Sequence, residues 1–208
     1  MENNKKNESL ETISIIMIGD ASVGKSTLMK KFITGNYSDS LNPTLGVELY
    51  KKELNINDKI YLYRIWDTCG QERFRSLSQS YYKSAGGIML LFSLNSLESF
   101  ENLNSWVNSI KDNGIKDIPI TLIGTKCDLD IIVSDEMIQN FVKENNNIIE
   151  KYFKCSSKEN IGIEEPFIEL AQCIIQLNKD NNKGDKRYEK VKIIKNKKNG
   201  KISKRKCC

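Results

Sequence analysis

Residues 19–26 read Gly-Asp-Ala-Ser-Val-Gly-Lys-Ser, a spacing that suits a loop wrapped around phosphate. Gly19 and Gly24 let the backbone curl so that the N–H groups of Asp20, Ala21, Ser22, Val23 and Thr27 face an anion. Lys25 supplies a point charge for the β- and γ-phosphates, and Ser26 a hydroxyl for Mg²⁺. Trp66-Asp67-Thr68-Cys69-Gly70-Gln71 offers complementary chemistry. A carboxylate at Asp67 can hold Mg²⁺, directly or through water. Gly70 can offer a backbone N–H at close range, and Gln71 can orient a water for phosphoryl transfer.

Two more segments address a base. In Thr125-Lys126-Cys127-Asp128, the Asp128 carboxylate can accept from both the N1–H and the exocyclic amine of guanine. Adenine would leave that carboxylate unsatisfied, which makes such a site selective. Ser156-Ser157-Lys158 can present backbone N–H groups to the guanine O6. Thr44 is a candidate second hydroxyl ligand for Mg²⁺, completed when a γ-phosphate is present. Tyr37, seven residues earlier, is a candidate to pack against the base edge, although a lone Tyr more often serves packing than a ligand.

The elements that would position these groups follow from periodicity. Thr12–Ile18 is an apolar, β-branched run and reads as a strand. Leu28, Met29, Phe32 and Ile33 have helical spacing after the glycine loop, so a helix N-terminus should point at the phosphates. Val47–Ile56 and Ile60–Trp66 read as an antiparallel hairpin turned at Asn57-Asp58-Lys59. Gly87–Ser93 and Ile118–Gly124 read as buried strands, and Tyr152–Cys155 as a short one. Leu97, Phe100, Leu103, Val107 and Ile110 form a helical stripe, with Asn95 and Glu98 as its capping pair. Ser134–Lys143 is a further helix. Phe167, Leu170, Ala171, Ile174 and Leu177 mark the last. Alternation of strands and helices predicts an α/β fold, a mostly parallel sheet covered on both faces. Ligands then bind beyond the C-terminal strand ends.

Composition narrows the chemistry. The 208 residues contain no His, which excludes Ser-His-Asp triads, Cys-His pairs and H-E-x-x-H zinc sites. The six Cys form no C-x-x-C pair and follow no secretory signal, so a reducing compartment is expected. No apolar run approaches the roughly 18 residues that span a bilayer. Residues 1–11 are polar and read as a flexible extension. Residues 179–208 hold thirteen Lys/Arg and three Asp/Glu, a net +10, against −5 for the remainder. Such a tail is expected to be disordered and to bind an anionic surface. Composition alone leaves both nucleic acid and an anionic membrane open as that surface, with Tyr188 the one aromatic that interleaves with the charge.

In order and separation these pieces resemble the Ras-like small GTPases from about Ile13 to Leu177, and within them the Rab branch. Leu45-Gly46-Val47-Glu48-Leu49 is similar to the Rab segment I-G-V-D-F. Gln71-Glu72-Arg73-Phe74-Arg75-Ser76-Leu77 is similar to Q-E-R-F-R-[ST]-[IL], and Tyr81-Tyr82-Lys83-Ser84-Ala85 to Y-Y-R-G-A. The resemblance implies a P-loop NTPase G domain over residues 12–178, with six strands of which one is antiparallel. It implies bound GTP or GDP with Mg²⁺, and slow hydrolysis in which Gln71 and Lys25 are catalytic. Two switch segments, 37–47 and 69–82, would meet an exchange factor, a GAP, a GDP-dissociation inhibitor, a prenylation escort and effectors. The terminal Cys207-Cys208 would carry two geranylgeranyl groups, placing the chain on the cytoplasmic face of an endomembrane or the plasma membrane, with a cytosolic pool. A GTP-binding interaction module with negligible hydrolysis is the alternative. A P-loop kinase or ATPase is disfavoured by Asp128.

The chain departs from the Rab pattern at several places. Thr125 replaces the usual Asn, so the amide that ties this loop to the P-loop should be missing and nucleotide release should be fast. Ala21 and Ser22 replace the glycine pair of Ras proper, and the Ala21 methyl should crowd the attacking water. Cys69 replaces Ala and either packs as a small hydrophobe or stands as a reactive thiol. Ser157 replaces Ala in S-A-K. Leu41 replaces an aromatic, and Asp130–Val133 lacks a short charged stretch, so a distinct partner set is expected.

Overall fold

The computed structural model describes residues 10–38, 44, 46–70, 84–112 and 118–181. The chain divides into two units at Ile174/Ile175. The first contains a sheet of six strands: β1 (Glu11–Gly19), β2 (Val47–Ile56), β3 (Lys59–Thr68), β4 (Gly87–Ser93), β5 (Ile120–Thr125) and β6 (Ile149–Lys154). Their order is β2-β3-β1-β4-β5-β6, and every neighbouring pair is parallel except β2 with β3. Both β4 and β5 are buried at every position, as strands covered on both faces must be.

Strand β1 lies between β3 and β4, and the chain crosses it in passing from β3 to β4, so a crevice opens past its C-terminal end. Register delivers the chemistry to that edge. Met17 pairs with Asp67, Gly19 with Leu91, and Ser93 with Thr125.

Helices α1 (Lys25–Thr34), α2 (Leu97–Glu101), α3 (Leu103–Asp112) and α4 (Asp135–Glu144) are joined by α5, residues 165–174, in the first unit. Residues 175–181 of the second unit are helical too. Ile16, Ile88, Leu90 and Phe92 pack with Trp106, Val107 and Ile110 of α3 and with Ile138 and Phe141 of α4 in one cluster. Elsewhere in the core, Phe32 of α1 stacks on Phe167 of α5 with centroids 3.8 Å apart and meets the Tyr63 ring edge-on. The Tyr63 hydroxyl satisfies itself on the Phe167 carbonyl at 2.6 Å.

Several sequence expectations shift. The β2–β3 turn uses two residues, Asn57 and Asp58, both with positive φ. That twist matches the flanking strands, and Lys59 already pairs with Ile56 in the ladder. Strand β5 starts at Ile120 rather than Ile118, and β6 begins at Ile149, three residues before the expected start. The helix cap is Ser96, whose hydroxyl accepts from the Ser99 N–H. Asn95 instead donates its amide to the Asp130 carbonyl at 2.8 Å. Ser96 wins because it already has extended backbone geometry next to the first helical residue. The apolar stripe breaks at Asn102 between α2 and α3. Leu97 is exposed, and Trp106, which the stripe omitted, is buried.

Truncating Phe167 to Ala removes a fully buried ring that joins α1, β3 and α5. Urea unfolding of Phe167→Ala should show a loss of about 3–5 kcal/mol.

Candidate functional site

The phosphate loop is held by geometry that few residues tolerate. A Cβ at Gly19 would lie 2.1 Å from the Leu91 carbonyl oxygen, so only glycine lets β1 leave the sheet here. Ser22 and Gly24 adopt left-handed backbone. Gly24 is the N-cap of α1, and no side chain caps that helix. The first N–H groups of α1 therefore face the crevice, where they favour an anion.

Lys25 is 5% exposed. Its ammonium donates to the Gly19 carbonyl at 2.9 Å and the Asp20 carbonyl at 2.7 Å. Burial pushes its pKa down to about 8, against the pull of Asp67 and Asp20. A cation this poorly hydrated gains strongly from a phosphate.

Three oxygen-bearing side chains meet beneath the loop. The Ser26 hydroxyl donates to Asp67 Oδ2 at 2.5 Å, so its lone pair receives the Thr44 hydroxyl at 2.8 Å. Thr44 also lies 3.3 Å from Asp67 Oδ2. Asp67 is 1% exposed. Burial raises its pKa, while the Ser26 hydroxyl and the Lys25 charge oppose the rise. Its Oδ1 is buried and has no hydrogen-bond partner. An orphaned carboxylate oxygen beside two hydroxyls suits a hard, oxygen-seeking cation such as Mg²⁺. The donor set fits.

At the far end two loops are stitched together. The Cys127 N–H donates to the Cys155 carbonyl at 3.1 Å, and the Cys155 N–H to the Gly124 carbonyl at 2.9 Å. Ser156 is fully buried. Its backbone pairs with Ile161 both ways, and its hydroxyl receives the Glu159 N–H at 3.0 Å. The Cys155 thiol is pushed up to about 12 by burial. Burial and the Asp128 charge raise Cys127. Both are therefore held as thiols.

The expectation of a missing tie at Thr125 is corrected. Its hydroxyl lies 2.5 Å from the Val23 carbonyl in the P-loop and 2.9 Å from the Phe92 carbonyl. A hydroxyl has one proton, so it serves one carbonyl at a time. The tie exists but is single.

One cavity of about 520 Å³ runs between the two ends, in the size range of small-molecule sites. Ala21, Ser22, Gly24, Lys25, Ser26 and Thr27 line it on the phosphate side, with Thr44 and Gly70. Thr125, Lys126, Asp128, Ser157 and Lys158 line it at the base side, and Tyr37 also borders it. Sequence reasoning missed Ser38, Thr68 and Leu129 as lining residues. Gly70 sits so close to the P-loop that a Cβ would come 2.3 Å from the Asp20 carbonyl and the Ala21 nitrogen. Cys69 is nearly buried and borders the cavity. Its N–H donates to the Gly46 carbonyl at 2.9 Å.

Gly19, Asp20, Val23, Asp67 and Ser156 are not among the lining residues; they shape the site from behind. The Asp20 carboxylate turns to Asn102 and Trp106, neither of which the sequence marked. An Asn and a Trp four apart on a predicted helix were the available signal. Gln71, Leu41, Cys207 and Cys208 lie outside the described residues.

The sequence profile of the Ras family matches residues 14–176. The chain is 33% identical to "Ras-related protein Rab7" of Pisum sativum, over 77% of this chain and 81% of that one. It is 34% identical to "Ras-related protein Rab-2B" of Dictyostelium discoideum, over 84% and 86%. To "Ras-related protein Rab-13" of Rattus norvegicus it is 32% identical, over 77% and 79%.

Two outcomes follow from this geometry. An Asn amide at residue 125 has two N–H groups for two carbonyls, so Thr125→Asn should slow GDP release by about tenfold, the worth of roughly one further hydrogen bond; fluorescent-GDP chase measures it. Lys25 releases its proton near 8 in the folded chain against 10.5 unfolded. Between those values the unfolded chain holds more protons, so Lys25 makes the nucleotide-free chain gain stability as pH rises. Relative to Lys25→Met, the native chain should gain up to about 1.4 kcal/mol per pH unit across that window in urea unfolding.

Proposed function

Because the chain belongs to the Ras family of small GTPases, on its Rab branch, and is a GTPase, we propose that it cycles between GTP and GDP to recruit effectors to membranes in vesicle traffic. The observation that carries this reading is the convergence of Ser26, Thr44 and Asp67 on one point beneath the P-loop, at one end of a cavity whose other end holds Asp128.

Lys25 exchanges the Gly19 and Asp20 carbonyls for the β- and γ-phosphates. Ser26, Thr44 and Asp67, the last through water, would hold Mg²⁺, which offsets charge on the phosphates. Gly70 donates its N–H to the γ-phosphate. Gln71 orients a water whose oxygen attacks the γ-phosphorus as the bond to the β–γ bridging oxygen breaks, leaving GDP and phosphate. Thr44 and Gly70 each belong to a switch segment, 37–47 and 69–82. Loss of the γ-phosphate removes the contact each makes, and both segments are released. No arginine acts in cis in this scheme, so intrinsic turnover is on the order of 10⁻⁴ s⁻¹ and a GAP supplies speed. Asp128 reads the N1–H and amine of guanine. Ser156, Ser157 and Lys158 close on O6, and Lys126 braces the loop.

The G domain spans 12–178 between an N-terminal extension, 1–11, and a basic tail, 179–208. Among the described residues no helix is long and apolar enough to cross a membrane. Attachment instead uses geranylgeranyl groups on Cys207 and Cys208, since two chains anchor where one gives marginal binding. The tail's positive charge adds attraction to an anionic leaflet. Exchange factor, GAP, GDP-dissociation inhibitor, prenylation escort and effectors meet the switch segments.

Purification from a bacterial host without added nucleotide, then denaturation and chromatography, tests the reading. Near-stoichiometric GDP is expected. Retained GTP points to a binding module with negligible hydrolysis, and ATP or no nucleotide overturns the guanine site. In the same preparation Gln71→Leu should slow GTP hydrolysis at least about tenfold while still binding GTP; native turnover in that variant removes Gln71 from the mechanism.

A further inference from the structure

Asp20 is the second residue of the phosphate loop, where a carboxylate is a liability. An anion a few ångströms from a polyphosphate repels it. The structure shows where that charge is sent. Asp20 Oδ2 receives the Asn102 amide at 2.7 Å, and Oδ1 receives the Trp106 indole N–H at 2.8 Å. Each carboxylate oxygen thus has a donor, and the group is absent from the cavity lining. The same residue's carbonyl accepts the Lys25 ammonium at 2.7 Å.

Asn102 and Trp106 stand four apart, at the break between α2 and α3 and one turn into α3, so they share a helix face. The backbone N–H of Trp106 donates to the Asn102 carbonyl at 3.2 Å, separately from its indole. Trp106 is 2% exposed and packs in the cluster with Phe92, Val107 and Ile110. A buried indole N–H needs an acceptor. Here that acceptor is a charged group on the loop that must cradle phosphate.

We propose that Asn102 and Trp106 are positioning residues for nucleotide: they clamp the Asp20 carboxylate away from the phosphates and, through it, fix the carbonyl that parks Lys25. This rests on the GTP/GDP reading above. Neither side chain touches nucleotide; both act through Asp20. Without the clamp, the carboxylate swings free beside the β-phosphate and the loop loses its anchor to the core.

The test is GDP release from the full chain, followed with a fluorescent GDP analogue, together with thermal unfolding. Asn102→Leu removes one donor from a half-buried position and should speed release about tenfold, the loss of a charge-assisted hydrogen bond. Trp106→Phe should do likewise, with a lower Tm because it also empties core volume. The discriminating variant is Asp20→Asn placed on Asn102→Leu. It removes the freed negative charge, so release should return toward the native rate, which a role confined to packing does not predict. Native release rates in both single variants overturn the clamp, as does acceleration that Asp20→Asn leaves unchanged. A native chain that takes up no GDP overturns the nucleotide reading and the clamp together. A native chain that binds GDP with variants that behave like it overturns the clamp alone.

Discussion

The constraint on which the site depends is the burial of Lys25. An ammonium out of water must be surrounded by acceptors or lose its proton. Here the acceptors are the carbonyls of Gly19 and Asp20, with Asp67 supplying the largest compensating charge. Gly19 ends β1 and Asp67 lies near the end of β3. Their proximity is a matter of sheet register, with Met17 opposite Asp67. A slip by one residue would turn Asp67 to the other face of the sheet. The two-residue turn at Asn57-Asp58 and the apolar faces of β1 and β3 therefore bear on the electrostatics of the phosphate site.

The loops that complete the cavity are tied to one another as much as to the sheet. Thr125 reaches Val23 across to the P-loop. Its carbonyl receives the Leu94 N–H, and the Leu94 carbonyl receives Ile132 and Val133 in turn. Cys127 and Cys155 bind the two base-side loops by backbone alone. These ties involve few side chains, which is why Thr125 and Ser157 can replace the more usual residues without undoing the arrangement. Most of the load falls on backbone N–H and C=O groups, which any residue but proline supplies.

Much of this was legible in the sequence, for identifiable reasons. The strand–loop–helix at 12–34 announced itself through glycine spacing and the change of period from two to 3.6. Strands β4 and β5 were readable because burial on both faces leaves an unbroken apolar run. The Ser26–Thr44–Asp67 cluster followed from residue type at strand and loop ends. What escaped depended on direction. Periodicity suggested a helix near 97–110, but the break at Asn102 and the turn of Trp106 toward Asp20 are settled by tertiary partners. Asn95 and Ser96 were both competent caps, and a single residue of phase decided between them. Thr125 was read by comparison with an amide, which overlooked that its hydroxyl is itself a donor and lies 2.5 Å from the Val23 carbonyl.

The distribution of charge gives the site its internal logic. Outside its basic tail the chain is net acidic, and three carboxylates, Asp20, Asp67 and Asp128, surround a cavity suited to a polyanion. Each is given a different orientation. Asp128 borders the end suited to a base, where hydrogen-bond donors need an acceptor. Asp67 lies beneath the loop, where one oxygen receives the Ser26 hydroxyl and the other has no hydrogen-bond partner and is left for a cation. Asp20 alone has no favourable task on the anion's side, and it is the one gripped by two donors, Asn102 at the α2–α3 break and Trp106 of α3. The remaining inward groups are donors: Lys25, the open N-terminus of α1, and the N–H groups of the curled loop. Anion binding by a net-negative domain is thus a problem of orientation rather than of total charge, and here it is solved by where the sheet edge and α3 make each carboxylate point.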